Sequence, residues 1–513
     1  MKTQVKLPLV LVIFGCALAV WNSGRSARAA EQSNVAALMA EAEKAPTLRA
    51  NLRELTDEIG GRVPGTPAME RAIRWGIEKF QAAGADEVHT EAFTIQHGWG
   101  EGATRVLAKF APNRGEGEVI THRIRLPLEF TLRAVSLGWG PAAQMSGVEI
   151  VDVGAGSHDD FAHAGELRGK AVLVHSEPMK TWEDLFGEYQ RVPVVVEESV
   201  KRGVRAILIQ STRPQDLLYR HINTNHGEAD RLPGLIVARE DADRLARLLA
   251  EKVRVSVDIS MPNQLTGPIH TANVVAELRG SEKPDEFVVL GAHLDSWELG
   301  TGALDNGCNA ALVIEALRAI KASGIKPKRT IRFILFSGEE EGLLGSLAYV
   351  HAHRADMDKY VAAVVFDTGT GKVTGFSIGG RKDMLNAANE IVEPLKAWDA
   401  ATLTTDAEWG TDHFDFMLEG VPTFMANQEE ANYLVNYHAS SDTFDKVDFA
   451  NLKRHVAEAA AVTVGLADRP ERVGPRISRQ EIERISHESG LEGQMRSADI
   501  WRDWESGARG RTP

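Results

Sequence analysis

The chain of 513 residues has only two cysteines, Cys16 and Cys308. One thiol of the pair lies in an N-terminal apolar stretch, so the mature protein has no internal disulfide, and packing or bound metal must hold it. An excess of positive charge is also missing. The formal net charge is −14, which disfavours nucleic acid or anionic lipid as a partner. Beyond the N-terminus no run is long and apolar enough to cross a bilayer, so no stable membrane association is expected. Internal repeats and low-complexity tracts are absent as well, which excludes solenoids and disordered arrays.

What is present begins with an export signal. Lys2 and Lys6 precede the apolar core "LPLVLVIFGCALAV", and "ARA" at Ala27 to Ala29 offers small residues for cleavage. Residues 1–29 are therefore read as a signal peptide and the protein as secreted or periplasmic. Lipoprotein processing at Cys16 is the alternative, disfavoured by the bulky Phe14 and the long apolar continuation.

At this length more than one core is expected. Residues 35–136 read as a first catalytic segment, in which two helices flank the loop "GGRVPGTPAMERA" and strand-like sequence runs from Val88 to about Leu132. Residues 137–262 have an αβ rhythm of their own, with "KAVLVHS", "RAILIQS" and "GLIVA" alternating with helical stretches, and read as an inserted domain. Residues 263–468 form a second series. There "NVVAEL" and "FVVLGAH" are expected to pair as a hairpin across "GSEKPD", a helix follows through "NAALVIEALRAIKAS", and "TIRFILF", "VAAVVFD" and "VPTFMA" are buried strands. The fold class is α/β, a mixed, mostly parallel sheet flanked by helices. Residues 469–513 are charged and poor in apolar runs and read as a surface-lying extension.

In open parallel sheets, ligands gather beyond the carboxyl ends of strands. Here "FVVLGAH" ends on His293, "IRFILFSG" runs into Glu339 and Glu340, and "VAAVVF" runs into Asp367. Asp305 precedes the next helix, and "NYHASSD" sets His438 in a loop. Two histidines and three carboxylates suit zinc in the absence of thiolates, and exceed what one ion needs. They suit two Zn²⁺ per chain, His293 and Asp367 holding one, Glu340 and His438 the other, with Asp305 as the bridge. Glu339 is then free to act as the general base. Glu341 is assigned to solvent, and Asp295 is placed to accept the other imidazole N–H of His293. Each residue alone has an ordinary reading as a turn, a cap or a satisfied core group. Their order along the chain is what carries the assignment.

"GAHLDSWELGTGALDNG", "SGEEEGLLGS", "VVFDTGTG", "GTDHFDFMLEGVP" and "NYHASSDTFDKVD" resemble the successive motifs of the co-catalytic zinc aminopeptidase and glutamate carboxypeptidase family. The phrasing is most similar to the plasma glutamate carboxypeptidase (carboxypeptidase Q) subgroup. The resemblance spans about residues 40–465, including the insertion, which resembles a protease-associated domain. It implies a zinc-exopeptidase fold, metal ligands at His293, Asp305, Glu340, Asp367 and His438, the base at Glu339, short peptides as substrates and a homodimer. "DNGCN" departs from it, with Asn306 and Cys308 where relatives often carry a second acid and more glycine.

Tyr433, Tyr437, Asp412 and His413 are further pocket candidates. Cys308 reads as a small buried residue rather than a nucleophile, and the loop with His221 and His226 as solvated or as a lid. Three functions stand beside one another: a carboxypeptidase, dipeptidase or aminopeptidase; a glutaminyl-cyclase-like transferase, which needs fewer ligands; and a binding protein, which needs none.

Overall fold

The computed structural model describes residues 34–111 and 128–512. The expected signal peptide, residues 1–29, and Cys16 within it lie outside the described residues. No described helix is long and apolar enough to cross a membrane.

One eight-stranded sheet is formed by β1 (Glu87–Ile95), β2 (Ile269–Leu278), β3 (Lys283–His293), β4 (Arg329–Phe336), β5 (Tyr360–Val365), β6 (Val373–Ser377), β7 (Thr402–Thr404) and β8 (Thr423–Gln428). Their spatial order is β1-β2-β4-β3-β5-β8-β6-β7. The central four, β4, β3, β5 and β8, are parallel. They read as continuous apolar runs because helices cover both faces. Successive side chains point to opposite faces: Val274 and Val288 join the core under one set of helices, and Val275 and Val289 the core under the other.

The first set comprises α1 (Pro67–Ala83), α2 (Cys308–Ser323) and α3 (Phe449–Asp468). Thr66 caps α1 by accepting the Met69 N–H at 3.3 Å, with Pro67 in its first turn. α2 is buried along nearly its whole length.

The expected hairpin does not form. β2 pairs antiparallel with β1 and β4, and β4 lies between β2 and β3. The β3–α2–β4 crossover lays β4 directly beside β3, in the place a hairpin partner would take. A mostly apolar, buried strand such as β4 gains more from two neighbours than an edge position would give it.

A second eight-stranded sheet has the order Leu128–Leu132, Arg105–Ala111, Arg254–Met261, Ala143–Asp152, Ala171–Val174, Ala206–Gln210, Gly234–Val237, Ala134–Ser136. Arg105–Ala111 pairs with Arg254–Met261 over seven residues. The second sheet therefore draws on chain well before 137, where the sequence reading starts the insertion. These leading strands are half-exposed and alternate, so they read like the strand just before them.

The C-terminal segment is not a loose extension. Helices Arg479–Ser489, Leu491–Ser497 and Trp501–Ser506 bury Ile482, Ile485, Leu491, Met495, Ile500 and Trp504 against Leu343, Phe414 and Leu418. Its apolar residues are few but spaced for one helical face, which composition alone hides.

Candidate metal centre

His293 is the last residue of β3, and Glu339 and Glu340 follow β4. Asp367 lies two residues beyond β5, and His438 follows the turn Tyr433–Asn436. The parallel β4-β3-β5 order brings these ends together. His293 Nε2 lies 3.0 Å from Asp367 Oδ1, 3.2 Å from Asp305 Oδ1 and 3.8 Å from Glu339 Oε2. His438 Nε2 lies 2.8 Å from Glu340 Oε2 and 3.4 Å from Asp305 Oδ2. Two groups result, His293–Asp305–Asp367 and Asp305–Glu340–His438, with the ligand atoms of each within 4.8 Å of one another. Asp305 belongs to both.

Several buried groups hold this arrangement in place. The Asp442 carboxylate accepts the N–H groups of Ala303, Leu304 and Asp305 at 3.1, 2.7 and 3.1 Å. Burial, with Asp305 nearby, pushes the Asp442 carboxyl up to about 7 despite those N–H donors and Arg62. Arg62, fully buried, donates to the carbonyls of Leu294, Gly60, Thr301 and Gly302 at 2.6–2.9 Å, tying the end of β3 to the loop before Asp305. The Asp295 carbonyl takes the His293 Nδ1 contact at 3.1 Å, while its carboxylate lies at 3.6 Å and accepts the Glu340 N–H at 3.2 Å. The support expected of Asp295 thus comes from its backbone for His293 and from its side chain for Glu340.

Sequence reasoning missed what holds His438. Its Nδ1 lies 3.1 Å from the carbonyl oxygen of Arg220, in the insertion, and a short bridge pairs Tyr219 with Ala439. The Arg220 guanidinium is buried against Glu101, Glu298 and the Ser136 carbonyl. The His221 loop is therefore neither solvated nor a free lid. His221 is buried on Tyr189, with ring centroids 4.8 Å apart, and His226 pairs with Asp503 at 2.7 Å.

The centre opens on a cavity of about 460 Å³. Asp305, Glu339, Glu340, Asp367, His438, Tyr433 and Tyr437 line it, together with Trp182, Leu185, Phe186 and Tyr189. The last four lie at i, i+3, i+4 and i+7 of the helix Trp182–Lys201, a spacing legible in "TWEDLFGEYQ" but easily taken for core. Tyr437 stacks on His438 at 3.7 Å, and its hydroxyl meets that of Tyr189 at 2.8 Å.

Asp412 and His413 are not among the residues lining the cavity. The helix they open buries Phe414, Phe416 and Leu418, which turns both side chains into the protein. Asp412 is fully buried, and its charge adds to those that raise the Glu339 carboxyl pKa. Glu341, expected in solvent, is fully buried with both carboxylate oxygens unpartnered. The turn after β4 folds back beneath the surface rather than starting an exposed helix. Cys308 is buried, donates to the Leu304 carbonyl at 3.3 Å, and burial pushes its thiol up, so it stays inert. Asn306 donates to the Phe366 carbonyl at 3.1 Å, so the departure in "DNGCN" serves packing.

Burial raises the carboxyl pKa of Glu339 and Glu340 well above the usual range. His293 opposes this, and the acids around them add to it. Burial works against a charged His293, yet Asp367 and Glu339 hold its pKa well above the ordinary value. The Asp305 Oδ2 and Glu340 Oε1 atoms are buried and accept no hydrogen bond. Such orphaned acceptors beside imidazole nitrogens are the donor set of a cation site, and a divalent ion would offset their repulsion.

Known proteins resemble the chain in sequence and in fold. Residues 273–463 match the family model "Peptidase family M28". The chain is 29% identical over 420 residues to carboxypeptidase Q of Mus musculus, covering 81% of this chain and 85% of the relative. Its fold is similar to the crystal structure of a peptidase M28 precursor from Shewanella amazonensis (TM-score 0.76, 26% identity, 87% of this chain and 99% of that one). A zinc aminopeptidase from Bacillus subtilis shares the fold at 17% identity and TM-score 0.62, over 85% and 98% of the two chains. The matched segment holds Glu339 and all five metal-competent side chains, so the part of the chain that carries the candidate site is the part similar to peptidase family M28.

Proposed function

We propose that this chain is a secreted dinuclear zinc exopeptidase acting on short peptides. The observation that carries the reading is the sharing of Asp305 by two histidine–carboxylate groups, with Glu339 beside them on the wall of a cavity of about 460 Å³. His293 and Asp367 would hold one zinc, Glu340 and His438 the other, and Asp305 would bridge. Bound there, the ions would acidify the attacking water and polarise the scissile carbonyl.

The chain's own residues do the rest. The Glu339 carboxylate takes the proton of the attacking water and returns it to the departing amine. Tyr433 lines the cavity and is available to the developing oxyanion. Trp182, Phe186 and Tyr189 give the cavity an aromatic wall, and its size suits substrates of a few residues. The insertion, read as a protease-associated domain, supplies that wall and the carbonyl behind His438. Export by the N-terminal signal and assembly as a homodimer belong to the same proposal and rest on the sequence alone.

One observation favours the aminopeptidase form of the reading. Among the described residues that line the cavity there is no Lys or Arg to grip a terminal carboxylate, whereas Glu183, Asp406 and Glu408 add acidic groups. The amide N–H groups of Asn225, Asn427 and Gln428 already donate to Ala498, Thr404 and Gly369. A substrate ammonium suits this wall better than a carboxylate.

The test is hydrolysis of a dipeptide library by zinc-loaded protein, with and without chelator, and with either end blocked. Chelator-sensitive turnover supports the reading. Turnover that survives a blocked carboxyl end but not a blocked amino end supports the aminopeptidase form. Turnover unaffected by chelator contradicts the proposal.

A further inference from the structure

Arg509 lies in the C-terminal segment, beyond the residues that match the family. Its guanidinium is 1% exposed. Nε and one terminal nitrogen donate to the two oxygens of the buried Asp415 at 2.7 and 2.9 Å. The same terminal nitrogen reaches the carbonyls of Gly342 and Leu343 at 3.1 and 3.4 Å.

Those two residues close the turn that carries Glu339 and Glu340. The N–H groups of Gly342 and Leu343 donate to the Glu339 carbonyl at 2.9 and 2.8 Å, and that of Leu344 to the Gly338 carbonyl at 2.8 Å. Ser346 links Asp415 to the same turn, donating to its carboxylate at 2.8 Å. Gly342 sits at φ +111° against the Asn225 backbone, where a β-carbon would collide with the Asn225 carbonyl. Leu343 is held at φ +63°, a left-handed conformation that a leucine adopts only where its surroundings over-determine it. Those surroundings are the C-terminal helices, since the Leu343 side chain is buried among Ile482, Leu491 and Trp504.

We propose that Arg509 is a positioning residue for the catalytic turn: through the Gly342 and Leu343 carbonyls and Asp415 it fixes where Glu339 and Glu340 point. The proposal rests on the exopeptidase reading above. Only a planar fork meets a carboxylate with two nitrogens and a backbone carbonyl in the same plane, so lysine does not substitute. A displacement of the turn by about 1 Å is enough to cost on the order of 10²-fold in rate. The segment 477–511 is in this sense part of the active site's support, although it touches no substrate.

The experiment compares the full-length zinc-loaded protein with Arg509→Ala, Arg509→Lys and Arg479→Ala on a dipeptide substrate. Arg479 stacks on Trp504 at 3.9 Å and donates to the Arg511 carbonyl at 2.6 Å without touching the turn, so its loss reports tail packing alone. For Arg509→Ala the account expects kcat to fall on the order of 10²-fold with KM little changed. It also expects zinc affinity to fall roughly tenfold or more through Glu340, and partial recovery of kcat on adding guanidinium ion. Arg509→Lys should behave like the alanine variant and carries the test if Arg509→Ala does not fold. Arg479→Ala should lower the melting temperature and keep kcat. Wild-type kcat in a folded Arg509 variant overturns the proposal and leaves the exopeptidase reading standing. So does an equal loss of kcat in Arg479→Ala. A wild-type protein with no zinc-dependent hydrolysis overturns both.

Discussion

His438 and Arg220 hold each other across the boundary between the two sheets. The Arg220 carbonyl lies 3.1 Å from His438 Nδ1, and the Arg220 N–H donates back to the His438 carbonyl at 2.9 Å. This fixes the imidazole so that Nε2 faces Glu340 and Asp305. One side of the candidate metal centre is therefore positioned by the Tyr219–Arg220 segment, whose backbone holds His438.

Removing the Arg220 side chain should show this. Its guanidinium is buried and paired with Glu101 and Glu298, and its loss leaves carboxylates without their partner. Because both acids are partly exposed, we expect Arg220→Met to lose about 3 kcal/mol in denaturant unfolding. Zinc titration of the folded variant should show one weakened site.

Glu339→Gln separates base from ligand. Glu339 is in neither metal-competent group, so the variant should keep its thermal midpoint and its zinc content. Turnover should fall by at least about 10²-fold, the low end for loss of a general base. Unchanged kcat, or loss of a zinc, would reverse the roles of Glu339 and Glu340.

Stability should depend on Glu458, in α3 and far from the cavity. Burial, countered by Arg454 and Lys372, pushes its carboxyl up to about 8, and Oε2 has no hydrogen bond. With a folded pKa above the unfolded one, the native state binds the extra proton. The stability contribution is full below the unfolded pKa, near 4.5, and is lost as pH rises through about 8. Glu458→Gln should flatten the fall in stability between about pH 5 and 8, measured by urea unfolding across that range.

The C-terminal segment should be needed for the fold. Trp504 is 1% exposed among Phe414, Leu418 and Met495. Trp504→Ala should cost about 3–5 kcal/mol, in the range for large-to-small core changes. A loss below about 1 kcal/mol, the scale of an ordinary surface change, would mean that the segment is only loosely packed.

The catalytic sheet was legible because β3, β4, β5 and β8 are short, apolar on both faces and separated by helical sequence. For the same reason His293, Glu339, Glu340 and Asp367 stood out as candidates, since each stands where an apolar run stops, whereas Asp305 stands just before α2 and His438 in a loop. Strand order was less legible. Nothing in "NVVAEL" and "FVVLGAH" says that β4 will come between them, because pairing is decided by the β3–α2–β4 crossover. The burial of Glu341 was hidden by its two acidic neighbours, and that of the C-terminal helices by their charge. Arg220 was illegible for a different reason. It supports His438 with a backbone carbonyl, and every residue type has one.

The central claim is that two cations share Asp305. Anomalous diffraction at the zinc edge from zinc-loaded crystals tests it directly. The account predicts two peaks about 3.5–4 Å apart, one against His293 and Asp367, the other against Glu340 and His438, with Asp305 touching both. A single peak, or two that do not share Asp305, would contradict it.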